Sequence, residues 1–297
     1  MKTIRAEHLG FCMGVRRAVS LARSEATERG RAFALGPLIH NRQALRELGS
    51  LGLEILPESA REDIRAEDLR GASLVIRAHG ESPQVEKSLR ERGIALADAT
   101  CPRVKASQLK ALAFAKEGRA LFLAGEGDHA EITGIVGYAE KGGAKFCAVI
   151  GNPAEAAAAA RRLLESQESP ALPPAIIAQT TIAPEEYDAI AKEIVRFFPE
   201  LEVARTICSA TKERQGALRE LAEKVDALLI VGDPGSANAR RLLAIAQASG
   251  KPCALAQGAA DIPGEFFSFQ TVGISAGAST PDFAIEEVER ALARGLN

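Results

Sequence analysis

Short apolar runs alternate with helical patterns along this chain, and that alternation limits its fold more than any other feature. Runs such as Ala32–Leu35, Ser73–Ile76 and Ala120–Ala124 end in polar or Gly-containing turns, and a helical pattern follows. Strands that alternate with helices are typical of α/β proteins with parallel sheets. We therefore predict an α/β fold with mostly parallel sheets. Further strands are predicted at 53–56, 145–150, 175–178, 227–231, 253–256 and 271–274.

Three of the five cysteines occupy the same kind of position, at the point where a helical pattern begins. These are Cys12, Cys101 and Cys208, and each is followed within five residues by Arg or Lys. Backbone N–H groups and the helix dipole at such a position favour the thiolate form of cysteine. The spacing predicts one cysteine in each domain-sized unit, with the three segments converging on one point.

The chain length agrees with several units. The 297 residues are enough for two or three domains with a sizeable core, and the lack of Trp predicts a core of Ala, Leu, Ile and Val. We predict three similar α/β domains. Their predicted bounds are 14–100, 101–207, and 208–297 together with 1–13.

Three thiolates at helix starts could hold an iron–sulfur cluster. A four-iron cluster usually has four cysteine ligands, so a cluster held by three would keep one iron open to a substrate. The alternative is that all three are buried structural cysteines, since free cysteine is often buried. Zinc is less favoured because structural zinc usually draws on close cysteine pairs. Cys147 and Cys253 lie inside apolar strand patterns and are interpreted as structural.

Three of the four histidines follow apolar runs and enter Gly-containing loops. They are His40, His79 and His129, and ligands of α/β sheets bind where such loops lie, beyond the carboxyl ends of the strands. Histidine can be a cation and a donor near neutral pH, so converging imidazoles suit an anionic substrate. The alternative is that they are ordinary polar residues. His8 is interpreted as a surface residue.

Other polar side chains follow strands in the same way. Glu131 stands two residues after His129, and a buried carboxyl there could deliver protons; the alternative is a surface glutamate. Ser236, Asn238 and Ser279 are neutral donors near glycines. They are either turn and cap residues or ligands of phosphate oxygens near helix N-termini. The sequence contains no Walker A motif and no G-x-G-x-x-G motif after a strand, so a nucleotide cofactor is not supported.

Several functional classes are disfavoured. A net charge of −2 without a dense basic run argues against nucleic acid as a partner. No apolar stretch approaches the roughly 18 residues that a spanning helix needs. Charged residues such as Glu7, Arg16 and Arg17 interrupt the N-terminal segment, so no signal peptide is recognised. We therefore expect a cytoplasmic protein without a membrane partner, whose cysteines bind metal, catalyse or are incidental rather than form disulfides.

Nine short segments together match one known family. In chain order they are GFCMGVRRA, GPLIHN, RAHG, DATCP, GDHAEITG, QTT, TICSATKERQ, GSANARRL and SAGASTP. From Gly10 to about Val288 the chain resembles the 4-hydroxy-3-methylbut-2-enyl diphosphate reductases, the last enzymes of the non-mevalonate isoprenoid pathway. Each segment alone is a weak signal, whereas nine in order are very specific.

The resemblance implies a trefoil of three α/β domains around a central [4Fe–4S] cluster. Its cluster ligands would be Cys12, Cys101 and Cys208. Glu131 would be the proton source, and Thr180 would position Glu131 and the substrate hydroxyl. The residues implied to bind the diphosphate or line its pocket are His40, His79, His129, Ser236, Asn238 and Ser279. Thr181 and Thr211 match the motifs and would support the site.

The implied activity is that of an iron–sulfur oxidoreductase. It would remove the allylic hydroxyl of its diphosphate substrate and yield isopentenyl and dimethylallyl diphosphates. Electrons would come from an external one-electron donor such as ferredoxin or flavodoxin. One departure is Ala237, where the family commonly places a second serine, and the preceding 232–235 also differ. An iron–sulfur sensor and a hydrolyase with a three-cysteine cluster are the remaining alternatives.

Overall fold

The computed structural model describes residues 1–39, 41–166 and 172–295. Within this part of the chain the strands form three sheets of four strands each, and every pair of neighbouring strands is parallel. Helices connect the successive strands of each sheet. The predicted α/β class with parallel sheets is therefore confirmed.

The elements follow one another in the predicted alternation. Those of the first part of the chain are β1 (Lys2–Arg5), α1 (Met13–Arg29), β2 (Ala32–Leu35), α2 (Arg42–Ser50), β3 (Leu53–Leu56), α3 (Ala66–Leu69), β4 (Ser73–Ile76), α4 (Pro83–Glu91) and β5 (Leu96–Asp98). Those of the middle part are α5 (Pro102–Lys116), β6 (Ala120–Ala124), α6 (Ala130–Lys141), β7 (Cys147–Ile150), α7 (Pro153–Glu165), β8 (Pro174–Ala178), α8 (Pro184–Val195) and β9 (Glu202–Val203).

The last part of the chain repeats the same plan. Its elements are α9 (Ser209–Ala222), β10 (Ala227–Val231), α10 (Ala237–Ala248), β11 (Cys253–Ala256), β12 (Thr271–Ala276) and α11 (Asp282–Arg294). Short 3-10 helices lie at Glu58–Arg61, Ala259–Asp261 and Gly264–Ser268. None of the helices in the described residues has the length and apolar character needed to cross a membrane.

The chain forms two compact units. One contains Met1–Val19, Ile39–Ser50 and Ser209–Asn297, and its sheet has the order β1-β12-β10-β11. The other contains Ser20–Leu38 and Leu51–Cys208, and its two sheets have the orders β3-β2-β4-β5 and β7-β6-β8-β9. Each sheet lies inside one of the three segments given as domains in the sequence analysis. The bounds of those three domains stay a prediction.

The central strands are buried along their whole length. All residues of β6, β8 and β10 are buried, because helices cover both faces of a parallel sheet. Their side chains are almost all alanine, leucine, isoleucine and valine, so the core has the predicted composition. Burial of aliphatic surface stabilises the sheets by about 25 cal/mol per Å² of area removed from water.

Parallel pairing places the ends of neighbouring strands side by side. Ala124 at the end of β6 pairs with Ala178 at the end of β8. In the other unit, Val231 at the end of β10 pairs with Ala276 at the end of β12. The polar loops that follow these strands are therefore neighbours, as expected for ligand sites in α/β proteins.

Candidate active site

A buried acid lies at the start of α6. The strand β6 ends at Ala124, and the loop after it leads to His129, the N-cap residue of the helix. Nδ1 of His129 accepts a hydrogen bond from the Glu131 N–H at 3.2 Å. Glu131 is only 1% exposed, so it is not the surface glutamate of the alternative interpretation.

Both carboxyl oxygens of Glu131 bond to Thr180. The Thr180 N–H donates to Oε1 at 2.7 Å, and the Thr180 hydroxyl donates to Oε2 at 2.8 Å. Burial raises the pKa of Glu131 from its ordinary 4.5 to about 7, while the two bonds from Thr180 act in the opposite direction. A carboxyl with a pKa near 7 can hold and release a proton at neutral pH. When it is protonated, the hydroxyl of Thr180 can accept instead of donate.

Two histidines meet beside this acid. His79 lies in the turn after β4, and His129 precedes α6. Their ring centroids are 5.2 Å apart, and the ring planes stand at 89°. The structure therefore brings together four of the site residues given by the sequence, namely His79, His129, Glu131 and Thr180. His40 lies outside the described residues, and the next residue, Asn41, caps α2 through its contact with Ala44.

Gln179 is a site residue to which the sequence analysis gave no role. Its Oε1 accepts from the Glu126 N–H at 2.9 Å, and its Nε2 donates to the Thr181 hydroxyl at 3.0 Å. A Cβ added at Gly125 would lie 2.5 Å from Oε1 of Gln179, so the glycine makes room for the amide. Gln179 thus joins the loop after β6 to the turn after β8. Its position directly after a predicted strand was the sequence signal that could have identified it.

Two of the three cysteines bond to this site through their backbone. Cys101 is the N-cap residue of α5, and its N–H donates to the carbonyl of Ala78, which precedes His79, at 2.9 Å. Cys208 directly precedes α9, and its N–H donates to the carbonyl of Thr180 at 3.1 Å. Both cysteines stand at helix starts, as the sequence indicated. The turn that carries His79 therefore fixes the position of Cys101. The turn that carries Thr180, the partner of Glu131, fixes the position of Cys208.

Cys12 belongs to the other compact unit. Its Sγ accepts from the Val15 N–H at 3.4 Å, a contact that places the sulfur at the start of α1. The backbone N–H of Cys12 donates to the carbonyl of Ala278 at 3.2 Å. Arg214 of α9 is buried and donates to the carbonyl of Gly10 at 2.7 Å. The turn that carries Cys12 is thereby held from two sides.

The donor set suits an iron–sulfur cluster. Cys12, Cys101 and Cys208 are partly exposed sulfur donors at helix starts. By contrast, burial raises the pKa of Cys147 to about 11, and burial also raises the pKa of Cys253, so these two are poor thiolates. In the residues that the structure describes, no three His, Cys, Asp or Glu side chains are grouped as ligands of a single ion. A cluster binds each thiolate to a different iron, so its three cysteines need not be grouped around a single ion.

The remaining predicted residues lie in the unit that holds Cys12. Ser236 is the N-cap of α10, and its hydroxyl accepts from the Ala239 N–H at 3.4 Å. Asn238 is 5% exposed, and among the described residues its Nδ2 has no hydrogen-bond partner. Ser279 is buried and follows β12, the neighbour of β10. Short neutral donors thus lie in the adjacent loops after two paired strands. Ala237 between them is buried as well.

A family model described as LytB protein matches residues 3–293. The chain belongs to the LytB protein family. A relative of this LytB chain in Treponema pallidum, named 4-hydroxy-3-methylbut-2-enyl diphosphate reductase, is 44% identical to it; the match covers 98% of this chain and 83% of the relative. The reductase family recognised in the sequence is thereby confirmed, and the LytB chain is an oxidoreductase of that family.

Solved structures agree with this membership. A structure of (E)-4-hydroxy-3-methyl-but-2-enyl diphosphate reductase, described as the terminal enzyme of the non-mevalonate pathway, is 35% identical with a TM-score of 0.69. The match covers 99% of the LytB chain and 100% of that chain. The E-1-hydroxy-2-methyl-but-2-enyl-4-diphosphate reductase from Plasmodium falciparum has a TM-score of 0.85 at 24% identity, covering 97% and 87%. That second likeness supports the fold alone.

Proposed function

We propose that this chain reduces 4-hydroxy-3-methylbut-2-enyl diphosphate to isopentenyl and dimethylallyl diphosphates, the last step of the non-mevalonate isoprenoid pathway. Its LytB relatives carry the name of that reductase. The structural observation that carries the proposal is the buried carboxyl of Glu131, whose pKa is about 7, beside two imidazoles. An acid poised near neutral pH suits a reaction in which a hydroxyl group must leave as water.

The reaction fixes what the site must supply. The allylic C–O bond breaks, a C–H bond forms, and one water molecule is released. Two electrons and two protons are consumed, one proton by the leaving hydroxyl and one by the carbon skeleton. The electrons come from an external one-electron donor such as ferredoxin or flavodoxin. Protonation at either end of the allylic skeleton accounts for the two products.

Glu131 supplies the proton for the leaving hydroxyl. Its carboxyl is held between the N–H and the hydroxyl of Thr180, so the acid has one orientation. Thr180 can accept a hydrogen bond from the protonated form and can also contact the substrate hydroxyl. Because both residues are buried, water is excluded from the proton transfer.

The diphosphate is bound by imidazoles and neutral donors. His79 and His129 lie in contact and would donate to its oxygens. Ser236, Asn238 and Ser279 would add hydroxyl and amide donors near the start of α10. His40 is proposed for the same role on its motif alone, since it lies outside the described residues. With Ala237, the loop lacks the second serine hydroxyl.

Cys12, Cys101 and Cys208 are proposed to hold a [4Fe–4S] cluster, one per chain. When bound, such a cluster would supply single electrons and, at the iron without a cysteine, a Lewis-acid position for the substrate hydroxyl. The chain's contribution is to present three sulfur donors at helix starts, and at Cys12 the sulfur accepts a hydrogen bond from a backbone N–H there. The absence of a nucleic-acid or membrane partner and a cytoplasmic location stay predictions.

The decisive experiment uses anaerobically prepared, cluster-loaded protein. Incubation with the substrate and a strong reductant should yield both five-carbon diphosphates, which chromatography separates. Iron and sulfide content and the EPR spectrum report the cluster in the same sample. A sensor would hold the cluster without turnover, and a hydrolyase would consume substrate without reductant. Either outcome would contradict the proposal.

A further inference from the structure

Charged residues stand on both sides of His79. Arg77 lies two residues before it and Glu81 two residues after it, and both are buried. The Gly80 N–H donates to the carbonyl of Arg77 at 2.9 Å, so these residues form a tight turn with His79 inside it. A buried charge is costly unless it is paired, so the partners of the two side chains decide how the turn is held.

Both partners lie on one short 3-10 helix, Glu58–Arg61. Nη1 of Arg77 donates to Oε1 of Glu58 at 2.6 Å. The guanidinium of Arg61 is 2.9 Å from Oε2 of Glu81 and 3.9 Å from Oε2 of Glu58. The contacts form a chain of alternating charge, which we call the ionic clamp: Arg77, Glu58, Arg61 and Glu81. It joins both ends of the His79 turn to the same helix.

The 3-10 helix is held in turn by the end of α4. The guanidinium of Arg92 donates to the carbonyls of Arg61, Glu62 and Ile64 at 2.7, 2.8 and 2.9 Å. Because α4 begins two residues after Glu81, the contacts close a ring through the turn, α4 and the 3-10 helix. All of these residues belong to the same compact unit. The clamp therefore acts against a support that is itself fixed.

The backbone of the loop after β2 packs against the clamp. Gly36 of that loop has a φ of +72°, and a Cβ added there would lie 2.6 Å from Oε1 of Glu58 and 2.8 Å from Nη1 of Arg77. The side chains of Arg77 and Glu81 are only 9% and 11% exposed. Ion pairs on an open surface contribute little, whereas shielded charges are screened much less by salt. The two ends of the clamp can therefore hold a backbone turn.

We propose that the ionic clamp positions the imidazole of His79 for the diphosphate, an inference that rests on the proposed function. Its members act through the turn that they hold at both ends, not by contact with the substrate. The position of His79 matters because its ring meets that of His129 at 5.2 Å, and both rings would donate to one diphosphate. A misplacement of about 1 Å can lower the rate of an enzyme about 100-fold.

The test is Arg61→Met, made in the parent and in a His79→Asn protein. In the parent it should weaken substrate binding about tenfold, the lower value for one hydrogen bond to a charged group. Calorimetric titration of cluster-loaded protein without reductant measures this. The kcat per bound cluster should stay parent-like, since Glu131 and Thr180 are unchanged. In the His79→Asn protein the same change should have no further effect, because the residue through which the clamp acts is gone.

Two further variants and a control complete the design. Arg61→Lys keeps the charge and should bind nearly like the parent. Glu81→Gln removes the charge at constant shape and should weaken binding as Arg61→Met does, which also serves if Arg61→Met does not fold. Arg119→Met is the matched control, because Arg119 is 23% exposed against 25% for Arg61 and lies 2.8 Å from Glu202 in the same unit. It precedes β6, away from the strand ends that carry the site, and should bind like the parent.

The other outcomes contradict the inference. Parent-like affinity in Arg61→Met and Glu81→Gln would show that the turn does not need the clamp. An equal further loss in the His79→Asn protein would mean that the clamp acts on the fold and not through His79. A loss of kcat with parent-like affinity would have the same consequence. A parent that neither binds nor reduces the substrate would overturn the proposed function and this inference with it, whereas an active parent whose clamp variants bind equally well overturns the inference alone.

Discussion

At the scale of single residues, the carboxyl group of Glu131 is governed by its surroundings. The side chain is out of contact with solvent and shares both oxygens with Thr180. Burial penalises the charged form more than the two hydrogen bonds favour it, and the pKa rises to about 7. The residue is therefore close to half protonated at neutral pH. Two predictions follow from this protonation equilibrium.

The first concerns catalysis. If Glu131 is the acid, only the protonated form is active, so kcat should fall about tenfold for each pH unit above about pH 7. Glu131→Gln should turn over at least about 100-fold more slowly and should lack this descending limb. Steady-state rates between pH 6 and 9 on cluster-loaded protein give both results. Near-normal turnover in the variant, with its EPR spectrum intact, would rule out Glu131 as the acid.

The second concerns stability. The native pKa of about 7 lies above the ordinary value of 4.5, so between these pH values the native state keeps a proton that the unfolded state has released. The free energy of unfolding should therefore fall, by about 3 kcal/mol, as the pH rises from 4.5 to 7. The free energy of unfolding of the Glu131→Gln protein should not show this fall. Calorimetric unfolding of both proteins at pH 5 and 8 measures the difference, and an equal response to pH would contradict the raised pKa.

At the scale of elements, α9 holds the turn of Cys12. Arg214 donates to the carbonyl of Ala210 at 2.8 Å and to the carbonyl of Gly10 at 2.7 Å. The planar guanidinium can reach both oxygens at once, whereas an ammonium group is a single point of charge. A helix that begins directly after one cysteine thereby fixes the loop that carries another.

We expect Arg214→Met to destabilise the protein by about 1–3 kcal/mol, because it leaves a buried carbonyl without its donor. Iron content should fall with it, since the Cys12 turn is then held only by the bond to Ala278. Arg214→Lys should retain part of the stability and part of the iron content. Arg219→Met, on the exposed side of the same helix, is the control. Iron analysis and Tm decide the question. Equal values for the Arg214→Met and Arg219→Met proteins would show that the Cys12 turn does not depend on this contact.

The loops after β10 and β12 should bind the diphosphate without fixed cations. Ser236, Asn238 and Ser279 offer neutral donors, and a hydrogen bond to a charged group contributes about 1.5–3 kcal/mol. Asn238→Ala and Ser279→Ala should each weaken substrate binding roughly 10- to 100-fold while the fold persists. Calorimetric titration measures the affinity. Ser249→Ala, at the other end of α10, should bind like the parent. Parent-like binding by both site variants would place the diphosphate elsewhere.

Elements that a local pattern defines could be predicted from the sequence. The bounds of β2, β4, β6 and β10 match the predicted ones, because each is an apolar run between turn residues. The strand β1 was not recognised, since Lys2 and Arg5 are exposed and its place in the sheet comes from pairing with β12. The hydrogen bond from Arg214 to the carbonyl of Gly10 joins segments that lie 204 residues apart. No pattern within one segment contains that information.

At the scale of the whole molecule, the proposed cluster draws its three ligands from widely separated parts of the chain. We expect Ser in place of Cys12, Cys101 or Cys208 to lower iron content and abolish the EPR signal of the loaded protein. Cys147→Ser and Cys253→Ser are matched controls, because burial raises the pKa of both thiols. Iron analysis after anaerobic reconstitution measures the cluster content of each variant. Full cluster content in Cys101→Ser, or its loss in Cys253→Ser, would overturn the assignment.

The order of motifs along the chain allowed the family to be recognised, whereas the shape of the site could not be obtained in the same way. The spacing of His129 and Glu131 is visible in the sequence, but the carboxyl of Glu131 bonds to Thr180, which lies 49 residues away. The contact between His79 and His129 likewise joins two different sheets. Burial and pKa are properties of the assembled layers, so a one-dimensional pattern leaves both interpretations of such residues open.

The contrast between the five thiols also bears on how the protein survives in air. Oxygen and alkylating reagents attack the thiolate, and a thiol with a pKa of about 11, such as that of Cys147, is almost entirely protonated at pH 7. Burial therefore protects Cys147 from these reagents, and it protects Cys253 in the same way. A total thiol assay would still count Cys147 and Cys253, and would overstate the fraction of chains able to take up iron.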